Sequence, residues 1–378
     1  MSPRLGSRLS LWLASVGTAA SYWYMCFTAL AFRQLMGRSE SIFARIYELF
    51  INAGDAPWYL KIAKYGYTAT GEDAKLIVFF PLYPLLIRIA NFIVPSDFIS
   101  SLAVSCVCLA VGGAFMYKLL RREYPENWPC GMLLFLFAPM GLFFVMGFTE
   151  SLFFMLSVMA LYFARQRRFL PACVAGFFAA LTRSFGMLLF VPVVVEMLIG
   201  ADDEDRTFRS IVQGIRPAFS LSLLIPLGFL LYLCLNRAVQ GDWFAFVAHQ
   251  QAPPWYNTPN WIGENIAMNY AMALEHRYLG LIIYWVQFSY FFVAIGAFVY
   301  ALKRRVRLSY ILYGALYTVM TYTSGWLISG GRYMACCLPL YLIFPAVQSR
   351  RARLLILLAA GGLSMLYAYL ILQGQAIF

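Results

Sequence analysis

The sequence has few charged residues. Only 12% of its 378 residues are Asp, Glu, Lys or Arg, whereas about a quarter are charged in a typical soluble domain. Hydrophobic residues make up 62% of the chain, and its mean hydropathy is +0.71. Since a soluble fold needs a charged surface, this composition predicts an all-α polytopic membrane protein.

The chain also lacks the motifs of several common chemistries. It has only two histidines, and no pair among its eight cysteines has C-x-x-C spacing, so the sequence indicates neither a zinc site nor a redox motif. It has no phosphate-binding loop of the G-x-x-x-x-G-K-[ST] type. An Asp-x-Asp pattern suited to a nucleotide sugar and its metal ion occurs only in the acidic run 202–205, which we interpret as a solvated cytoplasmic loop. We therefore expect no metal and no cofactor.

Basic residues outnumber acidic ones by 29 to 17, which gives a formal net charge of +12. We expect no nucleic-acid partner, because the basic residues form short clusters between apolar runs, as cytoplasmic loops require. With these clusters and the N-terminus in the cytoplasm, about eleven transmembrane helices are predicted. The predicted spans cover 9–32, 98–120, 131–147, 149–165, 170–184, 186–199, 217–236, 279–302, 308–328, 331–347 and 352–372.

Two polar segments, 33–97 and 237–278, are then expected on the outer side. In the first, Asp55 is predicted to cap a juxtamembrane helix whose first turn contains Pro57. Trp58, Ile62 and Tyr65 would lie together on its apolar face. The run 79–94 is short and ends in polar residues, so it predicts an interfacial or re-entrant helix.

Three charged residues, Glu150, Arg183 and Arg332, are predicted at helix junctions on the same side as Asp55. A charge at the membrane boundary is costly, so such residues are candidates for a functional site. The alternative is that Glu150 and Arg183 form an internal ion pair that only joins two helices.

The second outer segment combines amides and a histidine with several aromatic residues. His249 and Gln250 precede Trp255 and Tyr256, and Trp261 follows. This composition suits a sugar-binding surface. The alternative is an aromatic belt at the membrane interface, where Trp and Tyr are enriched in any case.

Several of these segments resemble one known family. The run Asp55-Ala56-Pro57-Trp58-Tyr59, followed by Phe79-Phe80-Pro81-Leu82-Tyr83-Pro84, is similar to the signature loop of the PIG-V family of GPI mannosyltransferases and their bacterial relatives. Weaker similarities follow in order at 149–153, 182–186, 246–250 and 332–340. One position departs from the family, which usually has Trp where this chain has Gly54.

The resemblance implies a single glycosyltransferase domain of the GT-C fold over 1–378. It implies an inverting transfer of mannose from a polyprenyl-phosphate donor to a lipid-linked or glycolipid acceptor. The expected location is the bacterial inner membrane, with the site facing the periplasm.

Within this interpretation Asp55 is the expected general base, with a purely capping role as the alternative. Arg332, and after it Arg183, are the expected ligands of the donor phosphate, because guanidinium groups bind phosphate oxygens bidentately. The residues expected to contact sugar or acceptor are Glu150, His249, Gln250, Trp58, Tyr59, Tyr83 and Tyr333. Two alternatives stay open: a GT-C transferase for another sugar such as arabinose or galactose, and a lipid-linked sugar flippase or transporter.

Overall fold

A computed structural model describes residues 3–35, 41–51, 54–199, 219–276, 283–325 and 327–372. These ranges are predominantly helical and contain no strand beyond one isolated bridge between Pro259 and Ser324, so the predicted all-α class is confirmed. The helices are α1 (Pro3–Leu35), α2 (Ile42–Ile51), α3 (Ala56–Tyr65), α4 (Leu82–Asn91), α5 (Asp97–Glu123), α6 (Trp128–Leu136), α7 (Glu150–Arg165), α8 (Phe169–Ala180), α9 (Phe190–Leu198), α10 (Leu224–Gln240), α11 (Ala245–Gln251), α12 (Ile262–Glu275), α13 (Trp285–Lys303), α14 (Leu308–Tyr322), α15 (Gly330–Ala335), α16 (Leu338–Ile343) and α17 (Arg350–Leu372). Short 3₁₀ helices cover Glu72–Val78, Gly141–Phe144, Ser184–Leu189, Leu327–Ser329 and Phe344–Ala346.

Four described helical stretches are long and apolar enough to cross a membrane. They are Asp97–Glu123, Phe219–Gln240, Trp285–Lys303 and Arg350–Leu372. The pair Leu327–Ala335 and Leu338–Ala346, bent by 43°, would be a fifth. The predicted span 9–32 lies within α1, which has 33 residues. Several other predicted spans correspond to shorter helices: α7, with 16 residues, is only about 24 Å long at 1.5 Å per residue.

Helix α5 shows how local sequence sets these elements. Ser96 is extended and its hydroxyl accepts a hydrogen bond from the backbone N–H of Ile99, which caps the helix start. Asp97 lies in the first turn, and Arg121 and Arg122 lie in the last. These charges oppose the partial charges of the helix ends and therefore stabilise both.

Ion pairs around the buried Glu196 bring basic residues together at one end of the helix bundle. Glu196, near the end of α9, accepts two hydrogen bonds from Arg307, at 2.6 and 2.8 Å. Arg165, the last residue of α7, pairs with Glu123 at 2.7 Å and lies 3.5 Å from Glu196. At the same end Arg353 donates to Asn127. We call this set of contacts the basic-end network.

Contacts at the opposite end join the segments that the sequence places outside the bundle. Gln240, the last residue of α10, donates hydrogen bonds to the carbonyl oxygens of Thr68 and Ala74. The Tyr232 hydroxyl donates to the carbonyl of Ile77. The two polar outer segments are therefore packed against each other at the end remote from the basic-end network.

Two sequence predictions of local structure need correction. The helix predicted over 131–147 ends at Leu136, and the chain then turns through a buried 3₁₀ helix, Gly141–Phe144. On α3 the predicted apolar face is shifted, since Tyr59 is buried and Tyr65 is exposed. Tyr65 is the last residue of that helix, beyond the part that packs on the bundle, which accounts for its exposure.

Candidate functional site

Four charged side chains meet at the end of the bundle opposite the basic-end network. Arg332 Nη2 donates a hydrogen bond to Asp55 Oδ2 at 2.7 Å, across 277 residues of sequence. Arg332 Nε lies 3.1 Å from Glu150 Oε1, and Arg183 Nη1 donates to that same oxygen at 2.7 Å. We call these four residues the charge cluster. It contains two carboxylates and two guanidinium groups, so its formal charges cancel.

The charge cluster is deeply buried on one side and more open on the other. The Glu150 side chain is 1% exposed and that of Arg332 is 6% exposed, whereas Asp55 is 22% exposed. Solvent or a ligand can therefore approach from the Asp55 side. Burial at this depth is tolerated only because each charge has an opposite partner.

Aromatic rings complete the walls of the charge cluster. The Arg332 guanidinium lies 5.2 Å from the ring centre of Phe148 and 5.5 Å from that of Phe143. Tyr333 lies beside both arginines, 4.7 Å from Arg183 and 5.4 Å from Arg332. Cations favour such positions near an aromatic ring, so the rings partly replace the water that the arginines lose.

Local backbone structure brings each charge to the cluster. Glu150 is the first residue of α7, where a carboxylate is stabilised by the helix N-terminus. Arg183 is extended after α8 has ended, in a turn that packs tightly at Gly186. A Cβ on Gly186 would lie 2.2 Å from the backbone of Ala179, so only glycine permits this turn. Arg332 lies in α15.

Asp55 does not cap α3 as the sequence predicted. It occupies the position before Ala56, with Pro57 in the first turn as expected, but its side chain makes no capping hydrogen bond. Its backbone is close to helical, which turns the carboxylate away from the first N–H groups. The carboxylate instead pairs with Arg332.

The expected sugar-contacting residues in the first outer segment occupy different environments. Tyr59 is buried, and its ring lies 5.0 Å from Phe79 and 5.3 Å from Tyr83. Burial, reinforced by the Asp55 charge, raises the pKa of Tyr59 well above its usual value, so its hydroxyl stays protonated. Tyr83 is fully buried and its hydroxyl is hydrogen-bonded to Ser105, while Trp58 is only partly buried under Lys75.

His249 and Gln250 form hydrogen bonds within the second outer segment. His249 Nε2 donates a hydrogen bond to Gln240 Oε1, and burial lowers the pKa of the imidazole, which favours its neutral form. Gln250 Oε1 accepts from Asn257, whose own amide oxygen accepts from Ser324. Within the described ranges, neither residue contacts the charge cluster, so their expected contact with sugar gains no support from these positions.

A large apolar groove lies beside the charge cluster, between α13, α16 and α17. Its volume is about 950 Å³, and it runs from Trp285 to Tyr300 along α13. Val286 in its wall adjoins Gly331, since a Cβ on that glycine would lie 3.5 Å from Val286 Cγ1. One residue of the groove wall therefore lies next to Gly331, the neighbour of Arg332 in the sequence.

Two aromatic residues of the site carry little or no signal in the sequence. Phe143 and Phe148, which flank Arg332, were not among the expected residues. Phe148 carried a weak signal, as an aromatic two residues before Glu150. Phe143 carried none, because it lay inside a run predicted to be an ordinary membrane span.

No group of three His, Cys, Asp or Glu residues in the described ranges could hold a metal ion. Comparisons with protein-family models, with curated proteins and with solved structures gave no match.

Glu150 Oε1 contacts both Arg183 and Arg332 inside the protein. This buried contact predicts strong energetic coupling between Glu150 and Arg183. In a double-mutant cycle with Glu150→Gln and Arg183→Gln, each single change leaves a buried charge short of a partner, so the two effects should not add. We expect a coupling of about 1–3 kcal/mol in unfolding measurements on purified protein.

The exposed pair Lys61–Asp73 is the matched control, with its side chains 41% and 34% exposed. Its cycle, Lys61→Gln with Asp73→Asn, should give less than about 1 kcal/mol. Equal coupling in the two cycles would show that the Glu150–Arg183 pair is not a buried, specific interaction.

Proposed function

We propose that this protein is an inverting membrane glycosyltransferase that transfers mannose from a polyprenyl-phosphate donor to a lipid-linked or glycolipid acceptor. The observation that supports it most is the charge cluster. It brings a partly exposed carboxylate, Asp55, within 2.7 Å of a guanidinium, Arg332, at one end of a helical bundle. The resemblance of the Asp55 segment to the PIG-V signature loop supplies the sugar and donor class.

The chemistry assigns one role to each side of the charge cluster. The acceptor hydroxyl oxygen bonds to the anomeric carbon while its proton passes to Asp55. The bond from that carbon to the phosphate oxygen breaks, and its electron pair stays on the phosphate. Arg332 stabilises the negative charge that develops there. Inversion follows because acceptor and phosphate lie on opposite faces of the carbon.

The apolar groove supports a donor with a long lipid tail. From Trp285 to Tyr300 it extends about 22 Å along α13, longer than one leaflet of a hydrocarbon core about 30 Å thick. A phosphate at Arg332 would place the attached chain at the Val286 end of this groove. A soluble nucleotide sugar would not need such a surface.

The proposed topology is that of a GT-C transferase with about eleven spans. The basic-end network then faces the cytoplasm, following the positive-inside bias, and the charge cluster faces the periplasm of a bacterial inner membrane. The short helix α7 would cross inside the protein, since none of its residues is exposed. Helix α8, in contrast, leaves Leu170, Val174 and Phe178 exposed on one face.

The proposed function predicts that Asp55→Asn abolishes transfer. The amide keeps the size of the side chain but does not accept a proton as a carboxylate does, so the rate should fall about 10²- to 10⁴-fold. The assay is mannose transfer from synthetic polyprenyl-phosphate mannose to a panel of glycolipid acceptors by purified protein in nanodiscs. Folding of the variant is verified by its thermal midpoint.

Asp73→Asn is the control, because Asp73 is an outer-segment carboxylate that pairs with Lys61 and not with the charge cluster. It should retain near wild-type transfer. Near wild-type turnover by Asp55→Asn would contradict the assignment of Asp55 as base, and no transfer by the wild-type protein to any acceptor would contradict the proposed function.

The groove assignment predicts a change in donor length preference. Ala297→Trp places a bulky ring in the groove wall, far along α13 from Val286. The apparent KM for a long polyprenyl donor should rise about tenfold or more, whereas a two-isoprene donor, too short to reach Ala297, should be used as before.

Val299→Trp, on an exposed position of α13 that does not line the groove, should leave both donors unaffected. If Ala297→Trp and Val299→Trp behave alike with the long donor, the tail does not occupy this groove.

A further inference from the structure

The two residues that the proposed mechanism needs most are bound to each other. Asp55 is the proposed base and Arg332 the proposed phosphate ligand, yet Arg332 Nη2 donates to Asp55 Oδ2 at 2.7 Å. In this arrangement the negative charge of the Asp55 carboxylate is balanced by Arg332 before any substrate binds. The outward-facing Nη2 of the guanidinium is also occupied, because it is hydrogen-bonded to the residue that must later accept a proton.

The proposed reaction moves one negative charge from Asp55 to the departing phosphate. A sugar-phosphate lipid is a phosphodiester with one negative charge, and the departing lipid phosphate is a monoester that gains a second. Over the same step Asp55 changes from a carboxylate to a neutral acid by accepting the acceptor proton. Charge is conserved, but it leaves Asp55 as it reaches the phosphate.

We propose that Arg332 exchanges Asp55 for the departing phosphate during transfer, so that protonation of the base and stabilisation of the leaving group are coupled through one guanidinium. This inference rests on the proposed function and adds to it the order of events at the site. Arg332 pairs with Asp55 in the resting protein. It pairs with phosphate once Asp55 is neutral.

The surroundings of Arg332 hold its inner edge in place during this exchange. Arg332 Nε lies 3.1 Å from the buried Glu150, and this ion pair holds the inner edge of the guanidinium. The geometry does not align the Nε–H for a hydrogen bond. The ring of Phe148 lies against the guanidinium at 5.2 Å. Because Asp55 is on the more exposed side, only the outward contact has to change.

The exchange is tested by binding of the product-like ligand, in the absence of any transfer. Polyprenyl phosphate is titrated into the purified full chain in nanodiscs, and its affinity is measured for wild type, Asp55→Asn and Arg332→Gln. Asp55→Asn is neutral like the protonated base, so it should bind the phosphate lipid about tenfold or more tightly than wild type. Arg332→Gln should bind it more weakly, and the double variant should lose the gain.

Asp73→Asn is the matched control and should bind as wild type. Asp55→Ala provides a second neutral variant in case the amide disturbs folding, and Arg332→Gln tests the phosphate contact with Asp55 intact. The exchange would be overturned, with the proposed function still standing, by either of two results in variants that bind saturably. One is that neither Asp55 variant has a higher affinity for polyprenyl phosphate than wild type, and the other is that Arg332→Gln has no lower affinity. Failure of every folded variant and of the wild type to bind would overturn both.

Discussion

The pairing of Glu150 with Arg183 and Arg332 is the interaction on which the rest of the site depends. A carboxylate that is 1% exposed is tolerated only with nearby cations, because an unpaired buried charge costs several kcal/mol. Both arginines must therefore reach the first turn of α7. This demand fixes the turn after α8 and the position of α15 relative to α7, and it places Arg332 where Asp55 can meet it.

Helix α7 is held by charges at both of its ends. Glu150 begins it in the charge cluster, and Arg165 ends it in the basic-end network with Glu123 and Glu196. A helix of about 24 Å between two fixed ends is a rigid spacer. The site is thus supported by buried contacts on the far side of the bundle, and its geometry does not rely on the outer segments alone.

Much of the fold could be predicted from the sequence, and less of the site. Apolar runs and basic clusters indicate an all-helical chain, because their spacing is a local property. They do not locate every helix end, since the run predicted over 131–147 is helical only to Leu136 before a 3₁₀ turn. The meeting of Asp55 with Arg332 joins segments 277 residues apart, and only the assumed sidedness suggested it. The local sequence also predicts that Asp55 caps α3, but its side chain pairs with the distant Arg332 and makes no capping hydrogen bond. Phe143 was missed because a buried 3₁₀ turn has the same apolar composition as a membrane helix.

The position of the donor phosphate tests this account most directly. A structure of the protein in nanodiscs, with a non-cleavable mannosyl phosphonate of a long polyprenyl alcohol bound, would locate the phosphorus atom. The account predicts phosphonate oxygens within hydrogen-bonding distance of Arg332, the sugar beside Asp55 and the tail in the groove along α13. A bound headgroup remote from Arg332, with the charge cluster unchanged, would contradict it.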